Sequence, residues 1–139
     1  MIDTPIGPLW AAFDEGGLTT LSFSAGRDDA QNALYPVLRK ELGEYFAGER
    51  KTFDIPLHPH GTEFQQKIWA ELLKIPCGRT RSYGELAGAR AARAAGGACH
   101  ANPIAILIPC HRVVGSDGKL TGYAGGVEKK QFLLSLEKE

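Results

Sequence analysis

The segment Pro56-Leu57-His58-Pro59-His60-Gly61 constrains the fold more than any other stretch. Its prolines remove amide donors and fix φ, and its glycine offers no helical preference. It reads as a linker, dividing the chain into a first lobe over 1–56 and a second domain over 57–139. Before it, Leu9-Trp10-Ala11-Ala12-Phe13 and Leu18-Thr19-Thr20-Leu21-Ser22-Phe23 flank Asp14-Glu15-Gly16-Gly17, the pattern of a β-hairpin with a glycine turn. Leu34, Leu38, Leu42 and Tyr45/Phe46 then recur on one helical stripe that Gly48 stops. Thr52-Phe53-Asp54-Ile55 is expected to form a further strand.

After the linker the signals are helical. Thr62 and Gln65 make a capping box, with Phe64, Ile68 and Leu72 at helical spacing behind them. Pro76-Cys77-Gly78 closes that helix. Ser82 and Glu85 make a second capping box, opening a short helix that Gly88 breaks. A small-residue helix is expected from Arg90 to Cys99, ended by Asn102-Pro103. Two short helices around a glycine turn suggest a helix-turn-helix. Ile104 to Ile108 reads as a buried strand, Gly115-Ser116-Asp117-Gly118 as a turn, and the last helix carries Phe132, Leu133 and Leu136. The fold class is α+β.

Charge separates the two halves although the net charge is +0. Residues 1–63 hold ten acids and five bases, whereas residues 64–139 hold six acids and eleven bases. Between Cys77 and Arg112 the bases are Arg79, Arg81, Arg90, Arg93 and Arg112, against the single acid Glu85. Such a field fits a polyanion partner for the second half, and equally a basic surface with none. No apolar run is long enough to span a bilayer, and Met1-Ile2-Asp3-Thr4-Pro5 lacks the layout of a signal peptide. The expectation is a cytoplasmic protein with no membrane partner. Cys77, Cys99 and Cys110 are odd in number and unframed, so reduced thiols are expected. They lack the paired short spacing of a zinc site, and residues 1–63 contain no cysteine. No metal is expected, and His58 and His60 read as loop residues.

Pro109-Cys110-His111-Arg112 follows the apolar run, so a strand is expected to present Cys110 as a nucleophile. A thiol reacts as thiolate and needs a group that takes its proton. Neighbours in an extended chain face opposite ways, so His111 is expected to act through a bridging water. A third group must orient the histidine, and Glu137 is the candidate.

Ile108-Pro109-Cys110-His111-Arg112-Val113-Val114 resembles the active-site motif of the O6-alkylguanine-DNA alkyltransferases. The resemblance extends through Ile75 to Ala87, Ala91 to Ala98, Asn102-Pro103, Leu120 to Gly126 and Phe132 to Glu137, and covers residues 56–139 strongly and the first lobe loosely. It implies a ribonuclease-H-like first lobe and a winged helix-turn-helix in the second. The implied reaction is single-turnover transfer of an alkyl group from O6-alkylguanine in double-stranded DNA to Cys110, without a cofactor, by a monomer; O4-alkylthymine stays open as a second substrate. By the same resemblance His111 takes the thiol proton, Glu137 holds His111, Asn102 braces the turn, and Tyr83 helps rotate the nucleotide. Arg93 fills the gap left by the flipped base. Ala94, Ala98, Arg112, Val113, Tyr123 and Gly125 meet the DNA or base. Two departures stand out: the turn Ala87-Gly88-Ala89-Arg90 is short, and Ala124 follows the pocket tyrosine where some relatives have serine. A lesion-binding relative without transfer and a Cys-His hydrolase remain as alternatives.

Overall fold

The computed structural model describes residues 1–115, 118, 120, 122–123 and 125–138. The chain forms two compact units, one of residues 1–60 with 103–105 and one of residues 61–102 with 106–139.

In the first unit β1 (Trp10–Asp14) pairs antiparallel with β2 (Gly17–Ser22), and a bulge falls at Ala12/Phe13. Asp14 pairs with Gly17, and Gly17 adopts φ +134°, the positive φ that a tight turn asks of glycine. The free edge of β1 is closed by carboxylates: Ala11 N donates to Asp28 Oδ1 at 3.0 Å and Phe13 N to Asp29 Oδ2 at 2.8 Å. Helix α1 (Tyr35–Phe46) buries Leu38, Leu42 and Tyr45 of the predicted stripe, with Tyr35 and Glu41 beside them, while Leu34 caps the helix half-buried.

Glu41 explains why the expected strand at 52–55 is absent. Its carboxylate takes the amides of Asp54 at 3.1 Å and Ile55 at 3.3 Å, leaving those donors no ladder to join. The pairing moves into the linker instead. Leu18 N donates to Pro56 O at 2.9 Å and His58 N to Leu18 O at 2.8 Å. That pairing carries the unit boundary to His60, beyond the residue 56 expected from composition.

In the second unit both capping boxes form, Thr62 with Gln65 before α2 (Glu63–Leu73) and Ser82 with Glu85 before α3 (Tyr83–Ala87). Helix α2 buries Ile68, Trp69 and Leu72, but Phe64, in its first turn, is 40% exposed rather than part of the core. Gly88 (φ +86°) and a 3-10 turn over Ala89–Ala91 join α3 to α4 (Ala92–His100). Residues Arg81–Ser82 (β3) pair in parallel with Val113–Val114 (β4), and α5 (Val127–Glu137) closes the unit.

The run Ile104–Ile108 is not a strand. Ile104 alone bridges, to Leu21, with Leu21 N donating to Pro103 O and Ala105 N to Leu21 O, each at 2.9 Å. Ile106 then turns at φ +70°, and the segment is buried as a turn. Apolarity reported burial correctly, but burial does not distinguish a strand from a packed turn. Helix α5 also differs: it buries Lys130, Leu133 and Glu137, while Phe132 is exposed. Of the expected turn at 115–118, Ser116 and Asp117 lie outside the described residues, as do Thr121 and Ala124.

Candidate active site

Cys110 opens a 3-10 turn, Cys110–Arg112, immediately before β4. It is delivered by a turn rather than a strand, so the extended-chain argument about Cys110 and His111 does not apply. The pairing of β3 with β4 sets the start of α3 beside this turn, and Tyr83 and Cys110 line one cavity of about 660 Å³ with Arg93, Gly96, Cys99 and Tyr123. Gly96 faces the Tyr83 ring across this wall, where a Cβ would make only ordinary contact at 3.9 Å.

The thiol of Cys110 is 8% exposed, and burial pushes its pKa above the usual range. A hydrogen bond from the Asn102 side chain acts in the opposite direction, stabilising the thiolate. The Asn102 amide also donates to Ile108 O at 2.8 Å, which ties it across the turn leading to the cysteine.

Behind the thiol lies a buried polar cluster. His111 Nε2 is 2.7 Å from Glu137 Oε2, and Arg112 grips the same carboxylate through Nε at 2.8 Å and Nη2 at 3.0 Å. A carboxylate only accepts here, so Nε2 carries the hydrogen and Nδ1 is the acceptor nitrogen. Nδ1 is buried and has no hydrogen-bond partner among the described residues. Burial lowers the His111 pKa, outweighing the Glu137 charge that would raise it, so the imidazole is held neutral. The site thus holds a buried protonated thiol and, next to it in sequence, a neutral histidine whose Nδ1 has no partner among the described residues.

Arg112 departs from its expected place. It is 7% exposed, doubly bonded to Glu137, and its Nη1 donates to Ile75 O at 2.7 Å. Its side chain is committed to the interior, whereas Arg79, Arg81, Arg90 and Arg93 are exposed. Ala98 departs too: it is 3% exposed, and its carbonyl accepts from Trp69 Nε1 at 2.9 Å, so it faces the core. Ala94 is exposed on the other side of α4. Val113 is buried, and Gly125 is half-buried and does not line the cavity. The Tyr123 hydroxyl is buried without a hydrogen-bond partner among the described residues, and burial raises its pKa.

Two residues escaped the sequence reading. Lys130 is fully buried and donates to Val113 O at 2.6 Å, and its charge favours the Cys110 thiolate. Its signal was available: Lys130, Leu133 and Glu137 share one face at helical spacing, so placing Glu137 inside implies Lys130 inside. Cys99 stands in the cavity wall, where burial raises its pKa to about 12.

An α+β chain whose second unit sets a buried cysteine, a neutral histidine and a shared carboxylate beside an open cavity has the layout that a thiol nucleophile requires. The chain is similar to known proteins along its whole length. The model of the 6-O-methylguanine DNA methyltransferase ribonuclease-like domain matches residues 1–59, and that of the family's DNA binding domain matches residues 63–139. The methylated-DNA–protein-cysteine methyltransferase of Methanosarcina acetivorans is 46% identical over 149 residues, covering 99% of this chain and 96% of the relative. That of Mycobacterium tuberculosis is 49% identical over 148 residues, covering 99% and 90%. The crystal structure of Mycobacterium tuberculosis OGT in complex with DNA superposes with a TM-score of 0.90 at 47% identity, covering 99% of this chain and 90% of that one. The chain belongs to the 6-O-methylguanine DNA methyltransferase family. With 139 residues against alignments of 148 or 149 positions, it lacks at least nine positions that these relatives have.

Proposed function

We propose that this protein repairs alkylated DNA by moving the alkyl group of O6-alkylguanine onto Cys110, once per molecule. The observation that carries this reading is the buried Cys110 thiol at the cavity wall, followed by a histidine whose Nδ1 is free to accept. It agrees with the names of the relatives and with the DNA bound to one of them.

The steps follow from the groups present. The alkyl carbon is inaccessible in a stacked duplex, so the nucleotide leaves the stack at a cost of a few kcal/mol. Arg93, exposed on the helix that follows the glycine turn, fills the space and offsets part of that cost. The small residues around it let the α4 backbone approach the duplex, with Ala94 on the exposed face. In this reading α3 and α4 are a helix-turn-helix whose turn is Gly88 and the 3-10 residues after it. The cavity takes the base between Tyr83 and Tyr123, and the Tyr123 hydroxyl, without a partner among the described residues, gains one. In this reading backbone groups near Cys110 and Val113, the latter accepting from Lys130, meet the guanine edge.

Cys110 passes its proton to His111 Nδ1, directly or through a water, and Glu137 stabilises the imidazolium that forms. The thiolate attacks the alkyl carbon, forming S–C as C–O6 breaks. The electron pair leaves with guanine O6, and a hydrogen bond from the Tyr83 hydroxyl steadies that charge until guanine is protonated. No cofactor enters. A thioether offers no leaving group, so the protein is consumed. It works as a monomer in the cytoplasm.

The test is the mass of the Cys110 peptide after mixing with an O6-methylguanine duplex. One methyl is expected on Cys110, reaching a plateau of about one per molecule, as an unregenerated nucleophile requires. Cys110→Ala should bind the duplex and take up nothing. Binding without any mass change would make the protein a lesion binder. Sustained turnover would make it a hydrolase, and an adduct on Cys77 or Cys99 would move the nucleophile.

A further inference from the structure

Burial orders the cavity beside Cys110 from rim to depth. Among the described residues that line it, Cys99 and Cys110 alone are buried, at 6% and 8% exposed, whereas Tyr83, Gly96 and Tyr123 are half-buried and Arg93 and His100 are exposed. The floor is therefore two thiols, and the transfer reaction uses only one of them.

Helix α4 supplies the second. Ala92, Gly96 and Cys99 recur at i, i+4 and i+7 and so share the helix face that lines the cavity. Down that face the side chains are a methyl, a hydrogen and a thiol, so Cys99 fills most space at the deep end. Asn102 holds the two cysteines in register. Its amide donates to Cys99 O at 3.2 Å, and its side chain donates to Ile108 O at 2.8 Å and to the Cys110 thiol. The sulfurs are near enough that charge on Cys110 acts on Cys99, and Lys130 acts on both.

Displacement at an alkyl carbon sets Cys110 Sγ, that carbon and guanine O6 in one line. A methyl group has only hydrogens beside the line. A larger group carries its next carbon sideways, and from a carbon seated on Cys110 that direction runs along the floor. With the base held between Tyr83 and Tyr123, the floor residue beside the line is Cys99. A free thiol packs as a small hydrophobe. Its pKa of about 12 keeps Cys99 uncharged, so it meets an apolar group without competing for the carbon, since the thiolate is the nucleophile. The cavity of about 660 Å³ falls within the roughly 300–1,000 Å³ of sites that enclose drug-sized ligands, which leaves room for a ring carried on the base.

We propose that Cys99 sets which alkyl groups this protein accepts, and that its small side chain admits apolar O6 groups larger than methyl, up to a benzyl ring. The proposal rests on the alkyl-transfer reading above and deepens it.

The test compares single-turnover rates of the full chain on duplexes carrying O6-methylguanine or O6-benzylguanine, in the parent and in Cys99→Ala, Cys99→Val and Cys99→Leu. The parent should transfer both groups. Cys99→Leu should lower the benzyl-to-methyl rate ratio at least about ten-fold, since one methylene in an apolar pocket is worth about 10–200-fold. Cys99→Val should move the ratio the same way by less, and it carries the test if Cys99→Leu does not fold. Cys99→Ala should keep the ratio at or above that of the parent. A ratio unmoved in Cys99→Val and Cys99→Leu, or equal losses on both duplexes, would overturn the proposal and leave Cys99 a packing residue. Methyl transfer without benzyl transfer in the parent would overturn it as well. A parent that transfers neither group would instead sink the alkyl-transfer reading, and the proposal with it.

Discussion

Glu41 in the first unit and Glu137 in the second are both 4% exposed, yet they are satisfied by different kinds of partner. Glu41 takes the backbone amides of Asp54 and Ile55 and lies 3.5 Å from Arg50. None of those partners changes its proton count in the ordinary pH range. Glu137 takes Arg112 and His111, and His111 faces away from it with an empty acceptor nitrogen. The comparison teaches that burial of a carboxylate does not by itself mark chemistry. A carboxylate bonded to amides holds a loop, whereas one bonded to a titratable ring sets the ring's tautomer and stabilises its charged form.

The largest expected effect tests this contrast directly. Glu137→Gln should slow transfer to Cys110 by about 100–10,000-fold, the range of acid–base catalysis that an oriented histidine supplies. It should also destabilise the second unit by about 3–5 kcal/mol, because it leaves Arg112 buried and unpaired. Glu41→Gln should cost about 1–3 kcal/mol through weakened amide bonds and leave the transfer rate of folded protein unchanged. Single-turnover rates and denaturant melts of both variants decide the matter. Equal effects on transfer would collapse the distinction between scaffold and chemical carboxylate.

A smaller effect separates two arginines of the second unit. Arg112→Met should act mainly through stability, with a smaller effect on transfer through the Glu137 carboxylate it shares with His111, and none on duplex binding. Arg93→Ala should leave stability intact and slow repair of duplex about ten-fold, the weight of about 1.4 kcal/mol lost from refilling the stack. Transfer from free O6-benzylguanine needs no extrusion and should be unchanged. A plain phosphate contact at Arg93 would instead lower the salt slope of binding by about one unit. Equal losses on free base and duplex would show that Arg93 supports the fold.

What the sequence disclosed follows the range of the interaction that encodes it. Both capping boxes, the hairpin and the α1 stripe rest on residues within a few positions of one another, and all of them form. The Cys110 motif carries its histidine next door, and Glu137 was reachable because a nucleophile's base needs a third group. Several of the failures are long-range, whereas Ile104–Ile108 failed because burial does not tell a strand from a packed turn. Thr52–Ile55 has strand composition, but a carboxylate thirteen residues earlier captures its amides. Arg112 has the composition of a surface base, but Ile75 O and Glu137, far along the chain in both directions, bury it. The hydrogen bonds of Asp14 with His58 and His60 gave no sequence signal because they depend on the pairing of the linker with β2.

The smallest effect concerns pH, and it sharpens the comparison because the titrating groups of the two units differ. Burial raises the Cys99 pKa to about 12 from an ordinary 9.0 and raises Cys110 as well. Above pH 9 the unfolded chain loses these protons while the folded unit keeps them. Each thiol therefore contributes a loss of stability as pH rises, about 1.4 kcal/mol per pH unit for Cys99, which the lowered pKa of buried Lys130 opposes below the ordinary 10.5. On the acid side the depressed His111 pKa means that unfolded histidine gains a proton below about 6.5 that the folded ring refuses. The second unit therefore weakens on that side first. In the first unit Asp28 and Asp29 have lowered pKa values, through hydrogen bonds from the N-terminus, Arg27 and β1 amides, so that unit weakens only as pH falls past the ordinary 3.8. Hydrogen exchange read by segment should show α4 and α5 losing protection between pH 6.5 and 5 while β1 and β2 keep theirs. Cys99→Ala should remove one thiol's share of the alkaline slope between pH 9 and 10 and leave the acid behaviour unchanged. An unaltered alkaline slope in Cys99→Ala would show that this thiol ionises in the folded cavity, and that the wall beside Cys110 admits more water than its burial implies.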